Sequence, residues 1–149
     1  MNQDEKWMQV AINEAKKAEA IGEVPVGAII IKNDQIIAKA HNKPILKYDP
    51  TAHAEILAIR SAGKKIKNYR LTGSTIYVTL EPCSMCLGAI IHARIEKIIF
   101  GAFDKKTGAC GSSENLKNTH FFHYKSRING GVLEKNCKDM LQDFFKKRR

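Results

Sequence analysis

A chain of 149 residues with 44% apolar and 27% charged side chains has the size and composition of one globular domain, which excludes a collagen-like repeat, a coiled coil and a disordered tail. Twenty-five Lys and Arg against fifteen Asp and Glu leave a formal charge of +10, a balance that suits a polyanionic partner as well as it suits a solvated surface. The polar, acidic start has no apolar h-region, and the longest nearly apolar run covers only residues 24–31. Neither a signal peptide nor a membrane span is expected, and the reading is of a cytoplasmic protein.

Met8, Ala11, Ile12, Ala15 and Ala18 recur at helical spacing, so residues 3–21 read as an amphipathic helix that ends at Gly22, with Trp7 on its inner side. Residues 26–32 and 36–40 are β-rich and are separated by Asn33-Asp34-Gln35, which predicts an antiparallel hairpin. Asp49-Pro50-Thr51 then offers capping residues for a second helix that continues through Ile56, Leu57, Ile59 and Arg60 to Gly63.

Residues 75–80 predict a strand, 83–94 a helix opened by Pro82, and 95–100 a further strand. That succession is a compact βαβ unit, so its strands should be parallel and the sheet mixed. A Gly- and Ser-containing loop follows from 104 to 119, longer than connections in compact domains usually are. Residues 124–128 read as an edge strand before Gly130-Gly131, and Leu133, Cys137, Met140, Leu141 and Phe144 mark the inner face of a last helix. No repeat or linker interrupts the chain, and residues 1–149 are expected to form a single domain.

The positive charge is concentrated. Arg60, Lys64, Lys65, Lys67 and Arg70 fall within eleven residues that contain no acid, while residues 135–149 hold six basic residues against Asp139 and Asp143.

Two short strings carry chemistry: His53-Ala54-Glu55 in the opening turn of the second helix, and Pro82-Cys83-Ser84-Met85-Cys86 at the opening of the third. Cysteines three apart on a helix lie about 60° apart around its axis, so one ion can touch both sulfurs, and a helix N-terminus favours the thiolates that bind it. One imidazole makes three ligands, and three ligands leave a coordination position open for water, the arrangement of catalytic zinc. His92 is six residues beyond Cys86 and faces elsewhere. His41, Cys110, His120 and His123 lack ligand spacing to either string, and Cys137 reads as core. Glu55, two residues from a ligand, can reach the reacting water without binding the ion and is the expected general acid/base.

H-x-E followed by P-C-x-x-C resembles the signature of zinc-dependent nucleobase deaminases. The chain further resembles the bacterial tRNA-specific adenosine deaminases through Glu23-Val24-Pro25-Val26-Gly27-Ala28, Asn42-Lys43-Pro44, Asp49-Pro50-Thr51-Ala52-His53-Ala54-Glu55, Asn68-Tyr69-Arg70-Leu71, Tyr77-Val78-Thr79-Leu80-Glu81-Pro82-Cys83, Lys106-Thr107-Gly108-Ala109 and Asp143-Phe144-Phe145. That resemblance implies a cytidine-deaminase-like α/β/α sandwich around a five-stranded mixed sheet, with both metal-bearing helices on one face. It also implies a homodimer and one zinc per chain on His53, Cys83 and Cys86, with Glu55 shuttling protons. The implied reaction converts adenosine to inosine at the wobble position of a tRNA anticodon stem-loop, that of an arginine tRNA. Asn42 and the Ala54 amide would read the base edge, and Asp104, Lys106, Phe144, Phe145 and Arg149 would line the RNA entrance.

The RNA-side residues also have plain structural readings. Asn42 can cap a turn, Asp104 and Lys106 can be solvated loop charges, and Phe144 fits the apolar stripe, whereas Phe145 points about 100° away from it. A free-base or nucleotide deaminase shares the zinc strings but has no need of the +10 charge. A non-catalytic zinc-stabilised RNA-binding module has no need of Glu55.

Overall fold

The computed structural model describes residues 1–116 and 124–148. Arg149, His120 and His123, all weighed above, lie outside the described residues.

Helix α1 (Gln3–Ala20) begins at a capping box. The Asn2 side chain accepts from the Glu5 amide at 2.8 Å while the Glu5 carboxylate accepts from the Asn2 amide at 3.0 Å. Its apolar stripe is buried as the spacing requires. Strands β1 (Gly27–Lys32) and β2 (Gln35–His41) form the expected hairpin, whose two connecting residues, Asn33 and Asp34, take φ of 53° and 58°. Two positive φ values in a two-residue loop make the turn whose twist matches paired strands, and Asn and Asp tolerate that backbone better than most residues. Gly27 lets α1 approach β1, since a Cβ there would sit 2.1 Å from the Ala11 carbonyl oxygen.

The second helix departs from expectation at both ends. Asp49 turns its carboxylate onto Thr51, accepting from its amide at 2.9 Å and from its hydroxyl at 2.7 Å, so it shapes a turn and caps no helix. Helix α2 therefore starts later, at Ala54 with His53 as its N-cap, and runs past Gly63 to Ile66 before Lys67 adopts a left-handed conformation with φ of 55°.

Strand β3 (Ser74–Leu80), helix α3 (Ser84–His92) and strand β4 (Lys97–Ala102) form the βαβ unit, with β3 and β4 parallel. The strand begins two residues later than expected because Arg94 is left-handed, with φ of 63°, and the Ile95 amide still bonds back to Ile90. Strand β5 (Arg127–Asn129) is the short parallel edge, and α4 (Glu134–Lys146) closes the fold.

The strand order is β2-β1-β3-β4-β5. Alternate side chains of the sheet point to opposite faces. Ile30, Ile76, Val78, Ile98 and Phe100 pack with Ala54, Ala58, Ala62, Leu87, Ile90 and Ile91 of α2 and α3. Ile29, Ile31, Tyr77 and Ile99 pack with Met8, Ala11 and Ile12 of α1 and Cys137 of α4. The protein is an α/β/α sandwich around a mixed sheet, with both helices that bear candidate ligands on one face. No helix among the described residues is long and apolar enough to cross a membrane.

Candidate metal centre and active site

The two helices of that face start side by side. His53 and Cys83 each occupy an N-cap with extended backbone, and neither side chain caps its own helix, so both are available to a ligand. Cys86 lies one turn into α3 and is fully buried. His53 Nδ1 stands 3.8 Å from Cys83 Sγ and 3.5 Å from Cys86 Sγ, and the three ligand atoms fall within 4.8 Å of one another. Tetrahedral zinc with ordinary Zn–S and Zn–N bonds separates such atoms by about 3.5 Å, so the trio fits the ion. Among the described residues no other group of three His, Cys, Asp or Glu converges in this way.

Glu55, in the first turn of α2, is buried beside the trio, and that burial pushes its carboxyl up to about 7. Hydrogen bonds from Cys86 and from His53 pull the Cys83 thiol down to about 4, making it the thiolate of the trio. Cys86 moves upward because its thiol donates to Cys83 and because it is buried, and His53 moves upward as donor to the same sulfur. The cluster thus offers an anionic, partly buried ligand set beside a carboxyl that can hold or release a proton near neutrality.

Asn42 accepts from the Ala54 amide at 2.8 Å through its side-chain oxygen. The two groups expected to read the base edge are bonded to each other, and Asn42 ties the end of β2 to the start of α2. Asp104 organises its own turn, accepting from the amides of Lys106 at 3.0 Å and Thr107 at 3.1 Å, while the Lys106 side chain is exposed. Phe145 is 48% exposed. Phe144, expected at the RNA entrance, is instead 3% exposed, with the Arg148 guanidinium 3.7 Å from its ring centroid. Its place on the inner face of α4 gives it to the core. His92 is exposed beyond the site, and His41 pairs with Glu14.

Three buried carboxylates, Glu14, Glu23 and Glu81, were not singled out by sequence reasoning, and two of them anchor loops near the site. Glu23 accepts from the amides of Ile45 and Leu46, holding the loop between β2 and α2. Glu81, 2% exposed, accepts from the amides of Asp104 at 3.0 Å, Cys110 at 2.9 Å and Ser112 at 3.1 Å, and from the Ser112 hydroxyl. Gly108 has to be glycine beside it, because a Cβ there would lie 2.4 Å from the Glu81 carboxyl carbon. The Ala109 amide also bonds to the Pro82 carbonyl, so this loop is fastened to the segment that carries Cys83. A carboxylate next to the ligand string was the only trace of this in the sequence.

Fold and ligand cluster together define a deaminase, and a family model described as MafB19-like deaminase matches residues 2–149. Within that class the chain belongs to the tRNA-specific adenosine deaminase family. It is 50% identical over 147 residues to the tRNA-specific adenosine deaminase of Haemophilus influenzae, covering 98% of this chain and 85% of that protein. The corresponding protein of Bacillus subtilis is 49% identical over 149 residues, covering 100% and 92%. A structure solved in studies of A-to-I editing by tRNA:A34 deaminases at the wobble position of transfer RNA superposes with a TM-score of 0.89 at 38% identity, covering 91% of this chain and 99% of that one. Guanine deaminase from Nitrosomonas europaea shares the fold, with a TM-score of 0.84 at 20% identity over 97% of this chain and 85% of that one.

Proposed function

We propose that this protein hydrolytically deaminates adenosine to inosine at the wobble position of a tRNA anticodon, that of an arginine tRNA, using zinc held by His53, Cys83 and Cys86. The observation that carries this reading is the convergence of those three ligand atoms beside buried Glu55, in a chain 50% identical to a tRNA-specific adenosine deaminase. Held by these three residues, zinc would supply Lewis-acid activation of the water nucleophile.

Glu55 takes a proton at the attacking oxygen and delivers it to the exocyclic nitrogen. A C6–O bond forms, the C6–N bond breaks, and one water is consumed for one ammonia released. Its burial keeps bulk water from competing for that proton, and a carboxyl poised at about 7 can both accept and donate at neutral pH. The Ala54 amide donates to the Asn42 side-chain oxygen and so holds the Asn42 amide group in place for a base edge. A wobble base is already unpaired, which lowers the cost of drawing it into the site. Asp104, Lys106 and exposed Phe145 line the RNA entrance, Phe145 as a stacking surface. The working unit is a cytoplasmic homodimer of single-domain chains.

The formal charge of +10 favours this substrate over a free base, which needs no polyanion-binding surface. The test is the purified zinc-loaded protein on an arginine anticodon stem-loop beside free adenosine, guanine and cytidine. Inosine in the RNA is expected, and efficient turnover of a free base with none in the RNA would overturn the reading.

A further inference from the structure

Helix α2 carries more than a metal ligand at its N-cap. Leu57, Arg60 and Lys64 recur at helical spacing along α2, between the N-cap His53 and the left-handed C-cap Lys67. Arg60, Lys64 and Lys67 are exposed. They flank shallow, largely open depressions. Lys47, Asp49, Leu57, Arg60, Ser61 and Lys64 line an open basin of about 640 Å³ between α2 and the loop that precedes it. A second basin of about 520 Å³ adjoins it along Arg60 and Lys64, extends past Lys67, and ends at Tyr69, which is 77% exposed.

The first basin has one acid, Asp49, and one oxygen of that carboxylate is engaged by Thr51. The second has no acid at all. The proposed chemistry at Glu55 uses none of these cations. Ala54, Ala58 and Ala62 form the inward face of α2, so the helix keeps Arg60 and Lys64 outward. From His53, Arg60 is seven residues and Lys64 eleven residues along the chain, roughly 10 and 16 Å at helical rise. A substrate of several nucleotides spans that distance, and a single nucleoside does not.

We propose that the trough formed by Lys47, Arg60, Lys64 and Lys67 is a second RNA-binding surface, which takes the phosphodiester backbone of the substrate RNA at a distance from the base being deaminated. Phosphate contacts of this kind set register and orientation and read no sequence. Tyr69 adds an aromatic face at the far end on which an unpaired base can stack. The inference rests on the RNA substrate proposed above and adds where that RNA is held.

The experiment uses the zinc-loaded protein and the anticodon stem-loop, measuring Kd against salt concentration together with KM and kcat for inosine formation. The double substitution Arg60→Gln, Lys64→Gln should raise Kd and KM at least tenfold at low salt and lower the salt slope by about two, one for each lost phosphate contact. The kcat at saturating RNA should stay within twofold, because neither side chain touches the reacting atoms. Lys6→Gln, Lys16→Gln on α1, across the sheet, removes the same charge and should leave Kd within threefold. Arg60→Lys, Lys64→Arg should restore the slope. Unchanged affinity and slope in the Gln pair, or an equal loss in the α1 pair, would overturn the trough. So would binding to phosphatidylserine vesicles through these side chains with RNA affinity unchanged. Wild-type protein that binds the stem-loop but forms no inosine would refute the substrate reading instead, and the Kd comparison would still decide the trough.

Discussion

Glu55 combines burial with a position two residues from His53 and outside the candidate ligand trio, which would separate its chemistry from that of a metal bound there. Glu55→Ala is expected to retain one zinc per chain and RNA binding while losing at least 10²-fold in kcat, as measured by elemental analysis and single-turnover inosine formation. Cys83→Ala and Cys86→Ala should lose metal and activity together, since two remaining ligands hold zinc poorly. Full occupancy in both Cys variants would contradict the ligand assignment. Glu81 acts one step further out. Glu81→Ala removes the acceptor for the amides of Asp104, Cys110 and Ser112, and at about 1 kcal/mol or more for each it should destabilise the protein by about 3 kcal/mol. Loosening of the 104–112 loop should raise KM more than it lowers kcat. Thermal unfolding and steady-state kinetics check the two halves, and a variant as stable as wild type would show that solvent replaces the lost acceptor.

At the scale of elements, α1 is joined to β2 by a buried acid. Glu14 accepts from Lys17 at 2.7 Å and meets His41 Nδ1 at 3.4 Å. Burial alone would raise its pKa, but the hydrogen bonds and charges of Lys17 and His41 outweigh burial and leave it below the ordinary 4.5. A carboxylate whose folded pKa is depressed contributes stability above its unfolded value, and that contribution is lost as pH falls through the folded one. Glu14→Gln should therefore lower stability at pH 7 by about 1–2 kcal/mol, a difference that shrinks below pH 4.5. Denaturant unfolding at pH 7 and pH 3.5 measures it, and a difference independent of pH would mean that packing rather than charge is responsible.

For the whole molecule, the candidate metal centre lies between the starts of two helices that have no covalent link nearer than the chain between residues 54 and 83. A ligand that binds only the folded state stabilises it by mass action, by about 4 kcal/mol at a thousandfold excess over Kd. Chelation should lower the melting temperature and zinc should restore it, with the sheet intact by circular dichroism in the chelated protein below its transition. A melting temperature indifferent to chelator would leave the trio without a structural share.

What the sequence by itself determined is periodic or local. The α1 stripe, the Asn33-Asp34 hairpin, the βαβ order and the apolar face of α4 follow from spacing, and the grouping of His53, Cys83, Cys86 and Glu55 was legible because metal and acid/base chemistry tolerate few other residue types. Tertiary structure decided what depends on partners distant in the chain. Asp49 looked like a helix cap until its carboxylate was found on Thr51, and Asn42 could not be paired with the Ala54 amide from a separation of twelve residues. Glu81 is invisible as an anchor because the amides it accepts from lie 23 to 31 residues away. The basic run 60–70 became a trough only once α2 turned Arg60 and Lys64 to one side, its left-handed C-cap set Lys67 beyond them and the preceding loop brought Lys47 opposite. Backbone donors are the same for every residue type, so the sequence carries no record of which carboxylate they will find.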